Sequence, residues 1–157
     1  MTLRVWVPGW PKTKGSMESQ ERRGGGRRMV QSVEGSEEWA LKVTRAVQQL
    51  LAIEPTPYRG AVMVTLAFWL PVADAAAGRC GDVDKLERNV LDALTKAGVY
   101  GDDVQVTHSP SFKYPVGAGG VEQAGVLIVA EPVEPLAFVE AFARQVHEQR
   151  ALMGLTT

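Results

Sequence analysis

Leu3, Val5 and Val7 alternate with Arg4 and Trp6 until Pro8 and Gly9 stop the pattern, which predicts a strand entering a loop. No apolar period is sustained over residues 11–33, so this stretch is expected as a long mobile loop. Ser36 with Glu37 and Glu38 marks a helix start, and Trp39, Val43, Val47, Leu50 and Leu51 follow at helical spacing to about Ala52. Two prolines and a glycine over residues 54–60 break the chain before an apolar run, residues 61–70, rich in strand formers and ended by Pro71. A buried strand is predicted there, followed by an alanine-rich loop over residues 72–78. Leu86, Val90, Ala93, Leu94 and Ala97 fall at i, i+4, i+7, i+8 and i+11. That spacing puts one apolar stripe on a helix from roughly Asp84 to Ala97, with Gly98 where a C-cap glycine belongs.

Beyond this helix, Val104, Val106 and His108 alternate with Gln105, Thr107 and Ser109, predicting a strand that reaches about Lys113. A glycine-rich turn at 115–120 and a strand at 126–130 are expected to complete a hairpin, and Phe138, Phe142 and Val146 support a C-terminal helix at about 134–152. The expected architecture is α+β, a small mixed sheet packed with helices in the order β-α-β-α-β-β-α, formed by residues 1–157 as a single domain.

At 157 residues and 45% hydrophobic letters the chain has enough apolar material for one core. No run approaches the roughly 18 apolar residues of a membrane span, and the first residues do not form a signal peptide, so a soluble, cytoplasmic protein is expected with no membrane partner. Cys80 is the only cysteine and there are two histidines, which excludes an intrachain disulfide and a cysteine zinc cluster and leaves carboxylates to hold any metal. The formal charge of −1 hides an asymmetry: residues 1–33 carry +5, leaving −6 for the remainder. A basic N-terminal arm on an acidic body is a hint of nucleic-acid contact, with Lys12, Lys14, Arg22, Arg23, Arg27 and Arg28 as the phosphate-binding candidates.

Four aspartates bracket the central helix, Asp82 and Asp84 before it and Asp102 and Asp103 after it. Taken singly, Asp82 and Asp84 read as helix caps and Gly101-Asp102-Asp103 as a turn. Grouped, they repel one another and favour a hard cation, Mg²⁺ or Mn²⁺. A helix of about 14 residues is roughly 20 Å long, so a shared site needs a strand that runs back, a strand that bends, or a second subunit. Consecutive strand residues face opposite ways, and Asp103 is preferred over Asp102 as a ligand. Arg88 shares a helix face with Asp84 and Asp92, a position suited to a scissile phosphate, with Lys85 and Lys113 as further candidates. No EF-hand spacing and no phosphate loop is present, because Gly24-Gly25-Gly26 lacks a following Lys-Ser/Thr; no nucleotide cofactor is expected.

The run from Gly81-Asp82-Val83-Asp84 to Asp92-Ala93-Leu94, continued by Gly98-Val99-Tyr100-Gly101-Asp102-Asp103-Val104-Gln105-Val106, resembles the signature of the RusA family of Holliday junction resolvases. The resemblance implies a small α+β homodimer that cuts four-way DNA junctions with Mg²⁺. It assigns Asp82, Asp84 and Asp103 as metal-binding catalytic carboxylates with Asp102 beside them. Lys85 stands where the family usually has asparagine and Arg88 where it has lysine; arginine keeps the charge but cannot donate a proton at neutral pH. The reading that results is a metal-dependent endodeoxyribonuclease of DNA recombination and repair, acting on branched DNA. A non-catalytic DNA-binding module and a nuclease for other branched or single-stranded nucleic acids are the alternatives.

Overall fold

In the computed structural model the described residues are 2–14, 17–21, 27–31, 34–55, 57–71, 81–133 and 144. The expected C-terminal helix at about 134–152 lies, apart from Arg144, outside them. The elements run β1 (Leu3–Pro8), β2 (Met17–Glu21), β3 (Arg27–Gln31), α1 (Ser36–Ile53), β4 (Val62–Leu70), α2 (Val83–Ala97), a 3-10 turn (Asp103–Gln105), β5 (Val106–His108), β6 (Ser111–Pro115), a second 3-10 turn (Ala118–Gly120) and β7 (Gly125–Pro132).

The fold is α+β, a five-stranded mixed sheet with two helices on one face. β4 shows why. Val62, Val64, Leu66, Phe68 and Leu70 are buried, while Met63, Thr65, Ala67 and Trp69 between them are half-buried, the period of two that places alternate side chains on opposite faces. The buried set packs with Trp39, Val43 and Val47 of α1 and with Leu86, Val90, Ala93 and Leu94 of α2. The apolar stripes read from the sequence are therefore the faces that α1 and α2 turn to the sheet. Gly98 ends α2 at φ 85°, and its N–H and that of Val99 return to the carbonyls of Thr95 and Leu94, the left-handed turn that favours glycine.

The strand pairing differs from expectation. The stretch from Val104 to Lys113 is not one strand: residues 103–105 form a 3-10 turn, and β5 and β6 are separated by Ser109 and Pro110. Both pieces pair parallel with β4, β5 at Val62 and Met63 and β6 from Leu66 to Leu70, so they make one interrupted edge. β7 is not the returning arm of a hairpin with β6. It lies antiparallel between β1 and β4, with Val5 opposite Ile128 and Leu66 opposite the same residue. Adjacency in the chain favours a hairpin, but β7 buries Val126, Ile128 and Ala130 only by entering the sheet centre.

The basic stretch expected as an irregular loop contains an antiparallel ribbon, β2 with β3, in which Glu21 opposes Arg27 and Gln20 opposes Arg28. On the sheet face away from the helices, Trp6 meets Trp69 edge to face at 5.7 Å. Tyr114 lies 5.2 Å from Trp69, and Phe112 stacks on Tyr114 at 6.4 Å. No helix among the described residues is long and apolar enough to cross a membrane.

Candidate functional site

The connection β4–α2–β5 makes α2 antiparallel to the strands it joins, so its first turn lies at the end of the sheet where β4 finishes and β6 finishes. Two contacts tie β6 to this end: the Ser111 hydroxyl donates to Glu87 Oε2 at 2.9 Å, and Lys113 Nζ donates to the Gly81 carbonyl at 3.2 Å. Gly81 itself is at φ 71°, and a Cβ there would stand 2.3 Å from Thr13 Cγ2, so the close approach of the N-terminal segment requires glycine.

Asp82 occupies the N-cap position with extended backbone, and its carbonyl accepts from the N–H groups of Lys85 and Leu86. An aspartate here usually turns its side chain onto the free N–H groups of the first turn. Asp82 does not: its carboxylate makes no cap bond, is 72% exposed, and lies 3.4 Å from Lys85 Nζ. Asp84 is exposed in the first turn, where the helix dipole favours a negative charge. Arg88 is exposed one turn further along and forms no ion pair among the described residues. Asp82, Asp84, Lys85, Arg88 and Lys113 thus belong to one end of the molecule.

The base of the arm is seated against the same helix. Lys14 N–H donates to the Lys85 carbonyl at 3.0 Å, and the Lys14 ammonium is ion-paired with Asp92. Lys12 lies 4.9 Å over the ring of Trp10, which is half exposed. Lys14, a candidate for phosphate, is therefore neutralised by its own chain, and Asp92 is its partner rather than Arg88's. Arg27 and Arg28 lie on β3; Arg22, Arg23 and Cys80 fall outside the described residues.

Asp102 and Asp103 are at the opposite end of α2. Fifteen residues at 1.5 Å each separate the two ends by about 22 Å. Asp102 caps the 3-10 turn: Oδ1 accepts from Val104 N–H at 3.0 Å, and Gln105 Oε1 returns to the N–H groups of Gly101 and Asp102. The bonds from Val104 and from Asp103 hold the Asp102 carboxyl below its ordinary value. Gln105 Nε2 donates to the Gly60 carbonyl at 2.9 Å, fixing this turn against the loop before β4. Asp103 follows, exposed. Tyr100 lies beneath, its hydroxyl donating to the Leu91 carbonyl, and burial pushes its pKa up strongly, with the charges of Asp103 and Asp92 adding to the shift.

The strand after α2 does run back along the helix, as one of the three possible resolutions required. The two aspartates stop short of it, in the turn before β5. Among the described residues no group of three or more His, Cys, Asp or Glu side chains is gathered for a metal.

Sequence reasoning missed Asn89, which is 3% exposed on the buried side of α2. Its only signal was a polar letter between Leu86 and Val90 in the apolar stripe. It also missed Glu87 as the partner of Ser111, for which spacing gives no signal.

A family model described as endodeoxyribonuclease RusA matches residues 8–122, from the last residue of β1 to the turn before β7. No curated protein matches the chain. The matched span includes β2 to β6, both helices and both pairs of aspartates, and with it the chain belongs to the RusA endodeoxyribonuclease family.

Proposed function

We propose that the protein is a homodimeric, divalent-metal-dependent endodeoxyribonuclease, one RusA-like domain per chain, that resolves four-way DNA junctions in the cytoplasm by hydrolysing one phosphodiester in each of two opposing strands. The observation that carries this reading is the family match, which covers both aspartate pairs within a single span. A two-fold dimer suits the two-fold symmetry of the junction.

The donor chemistry fits a hard cation. Asp82 and Asp84 present exposed carboxylate oxygens, and neither a thiol nor an imidazole is grouped with them among the described residues. Asp82, Asp84 and Asp103 would hold Mg²⁺ or Mn²⁺, with Asp102 kept mainly to its cap. When bound, the ion supplies positive charge that polarises the phosphate and lowers the pKa of the attacking water.

The chain's own residues do the rest. Arg88 is exposed beside the carboxylates and always charged, so it grips the scissile phosphate and offsets the charge that develops on it. Lys113 reaches the same end from β6, and its bond to the Gly81 carbonyl orients the segment that bears Asp82. Lys85, drawn toward Asp82, limits that carboxylate's freedom. Lys12 and the arginines of the arm bind phosphates along the junction, contacts that weaken steeply with salt.

The test is cleavage of a labelled synthetic four-way junction, with linear duplex and flap controls, in Mg²⁺ and in chelator, by the natural chain and by Asp84→Asn. Paired nicks confined to the junction, lost with chelator and with the substitution, support the reading. Binding without cleavage in both Mg²⁺ and Mn²⁺ makes the protein a DNA-binding module instead, and cleavage of flaps or single strands in preference assigns it a different substrate.

A further inference from the structure

Asn89 is a buried polar side chain in the middle of an apolar stripe. Burying an amide is costly unless it is bonded. Its Nδ2 donates at 2.8 Å to the Lys12 carbonyl, and to the carbonyl and hydroxyl of Ser36 at 3.3 and 3.2 Å. These partners are 77 and 53 positions away in sequence, at the two roots of the segment that carries the β2–β3 ribbon. The root that enters the ribbon is held twice more on α2, by Lys14 N–H on the Lys85 carbonyl and by the Lys14–Asp92 ion pair. Lys14, Asn89 and Asp92 line one groove between α1 and α2, with Ala40, Thr44 and Lys96. None of the four candidate aspartates lines that groove.

We propose that Asn89, with the Lys14–Asp92 pair, is a clamp that fixes the roots of the basic ribbon to the helix carrying Asp82, Asp84 and Arg88. Asn89 is a positioning residue. It acts through Lys12 and Ser36 and touches no substrate. Its consequence is that both roots of the segment that grips distant phosphates keep a fixed place on the helix that engages the scissile one. Branched DNA is then bound in one register with respect to the carboxylates, with less ordering to be done on binding. The clamp rests on the nuclease reading for its role in substrate use, but its existence is read from backbone exchange, which needs no activity.

The experiment compares Asn89→Leu, Asp92→Asn and Thr44→Val with the natural chain by amide hydrogen exchange and by steady-state cleavage of a four-way junction in Mg²⁺. Asn89→Leu keeps the branched heavy-atom skeleton and removes the donors. Asp92→Asn keeps the shape and removes the charge, and because its side chain is only half-buried it preserves the fold. Thr44→Val removes a hydroxyl that donates to the Ala40 and Ala93 carbonyls in the same groove and leaves the Asn89 and Lys14 contacts, reporting what simple loosening of the region does.

The expected result is exchange of the Lys14 amide about tenfold faster or more in the first two variants and little changed in Thr44→Val. KM for the junction rises about tenfold, with kcat within about twofold. Unchanged Lys14 exchange in both Asn89→Leu and Asp92→Asn overturns the clamp. Equal acceleration in Thr44→Val overturns it too, because the effect is then general loosening of the groove. If the natural chain does not cleave the junction, the nuclease reading fails, and the exchange data still decide the clamp.

Discussion

Mixing two inactive variants tests where the metal site is assembled. The ligand oxygens of a shared Mg²⁺ all lie about 2.0–2.1 Å from the ion, whereas the two ends of α2 are about 22 Å apart. Asp84 and Asp103 of one chain therefore do not meet on one ion, and a dimer in which each site takes Asp84 from one protomer and Asp103 from its partner removes the conflict. On the proposed site, Asp84→Asn and Asp103→Asn should each be inactive as homodimers. In a mixed dimer one site has lost both aspartates and the other keeps both. Random reassortment makes about half of the dimers mixed, each with one of two sites intact, so nicking returns to about one quarter of the natural rate. Each mixed dimer cuts one strand only. The assay is a supercoiled plasmid with an extruded cruciform: the mixture gives open circles, the natural protein linear molecules. Native mass spectrometry verifies that mixed dimers are present. If they are and no open circles appear above either variant alone, the shared-site reasoning is refuted.

Three further outcomes follow from single contacts. Tyr58→Phe removes a hydroxyl that accepts from Leu3 N–H and donates to the Ala130 carbonyl, so urea denaturation should show a loss of about 1–2 kcal/mol with an unchanged m-value. Gly81→Ala puts a Cβ 2.3 Å from Thr13 Cγ2 at φ 71°, where an L side chain adds about 1–2 kcal/mol of strain; thermal unfolding should fall by several degrees, and Lys14 amide exchange should rise. The folded pKa of Asp102 lies below its ordinary value of 3.8, so its contribution to stability is complete above that value and is lost as pH falls through the folded pKa. Acid unfolding of Asp102→Asn should accordingly show a shallower dependence below about pH 4, with NMR titration of the Asp102 carboxyl as the direct check.

Local periodicity made much of this fold legible. The stripe Leu86, Val90, Ala93, Leu94 with Gly98 after it determines α2 without reference to the rest of the chain, and the same holds for Trp39, Val43 and Val47 in α1. What was not legible is pairing at a distance. β7 leaves its neighbour β6 because the sheet centre buries both of its neighbours' apolar faces, and no short window of sequence contains that comparison. The ribbon β2–β3 was hidden because its strands, Met17–Glu21 and Arg27–Gln31, lack apolar alternation and are identified only by their register. For the candidate site, Asp82, Asp84 and Arg88 could be nominated from spacing and resemblance. Their orientation was not: that Asp82 declines its cap while Asp102 takes one depends on backbone angles and on Gln105, and that Asn89 holds Lys12 depends on a contact 77 residues away.

The interrupted edge formed by β5 and β6 also bears on how the protein keeps to itself. A long unbroken parallel edge beside Phe112 and Tyr114, both exposed, is a template on which a stray strand from another molecule can grow. Here Pro110 and Pro115 frame the longer piece, neither with an N–H to give, and the carbonyl of Pro110 is already engaged by Leu66 N–H. A visiting strand finds five residues at most before the hydrogen-bonding rhythm stops. The break that divides β5 from β6 thus shortens the template that lies beside the aromatic surface at the sheet's margin.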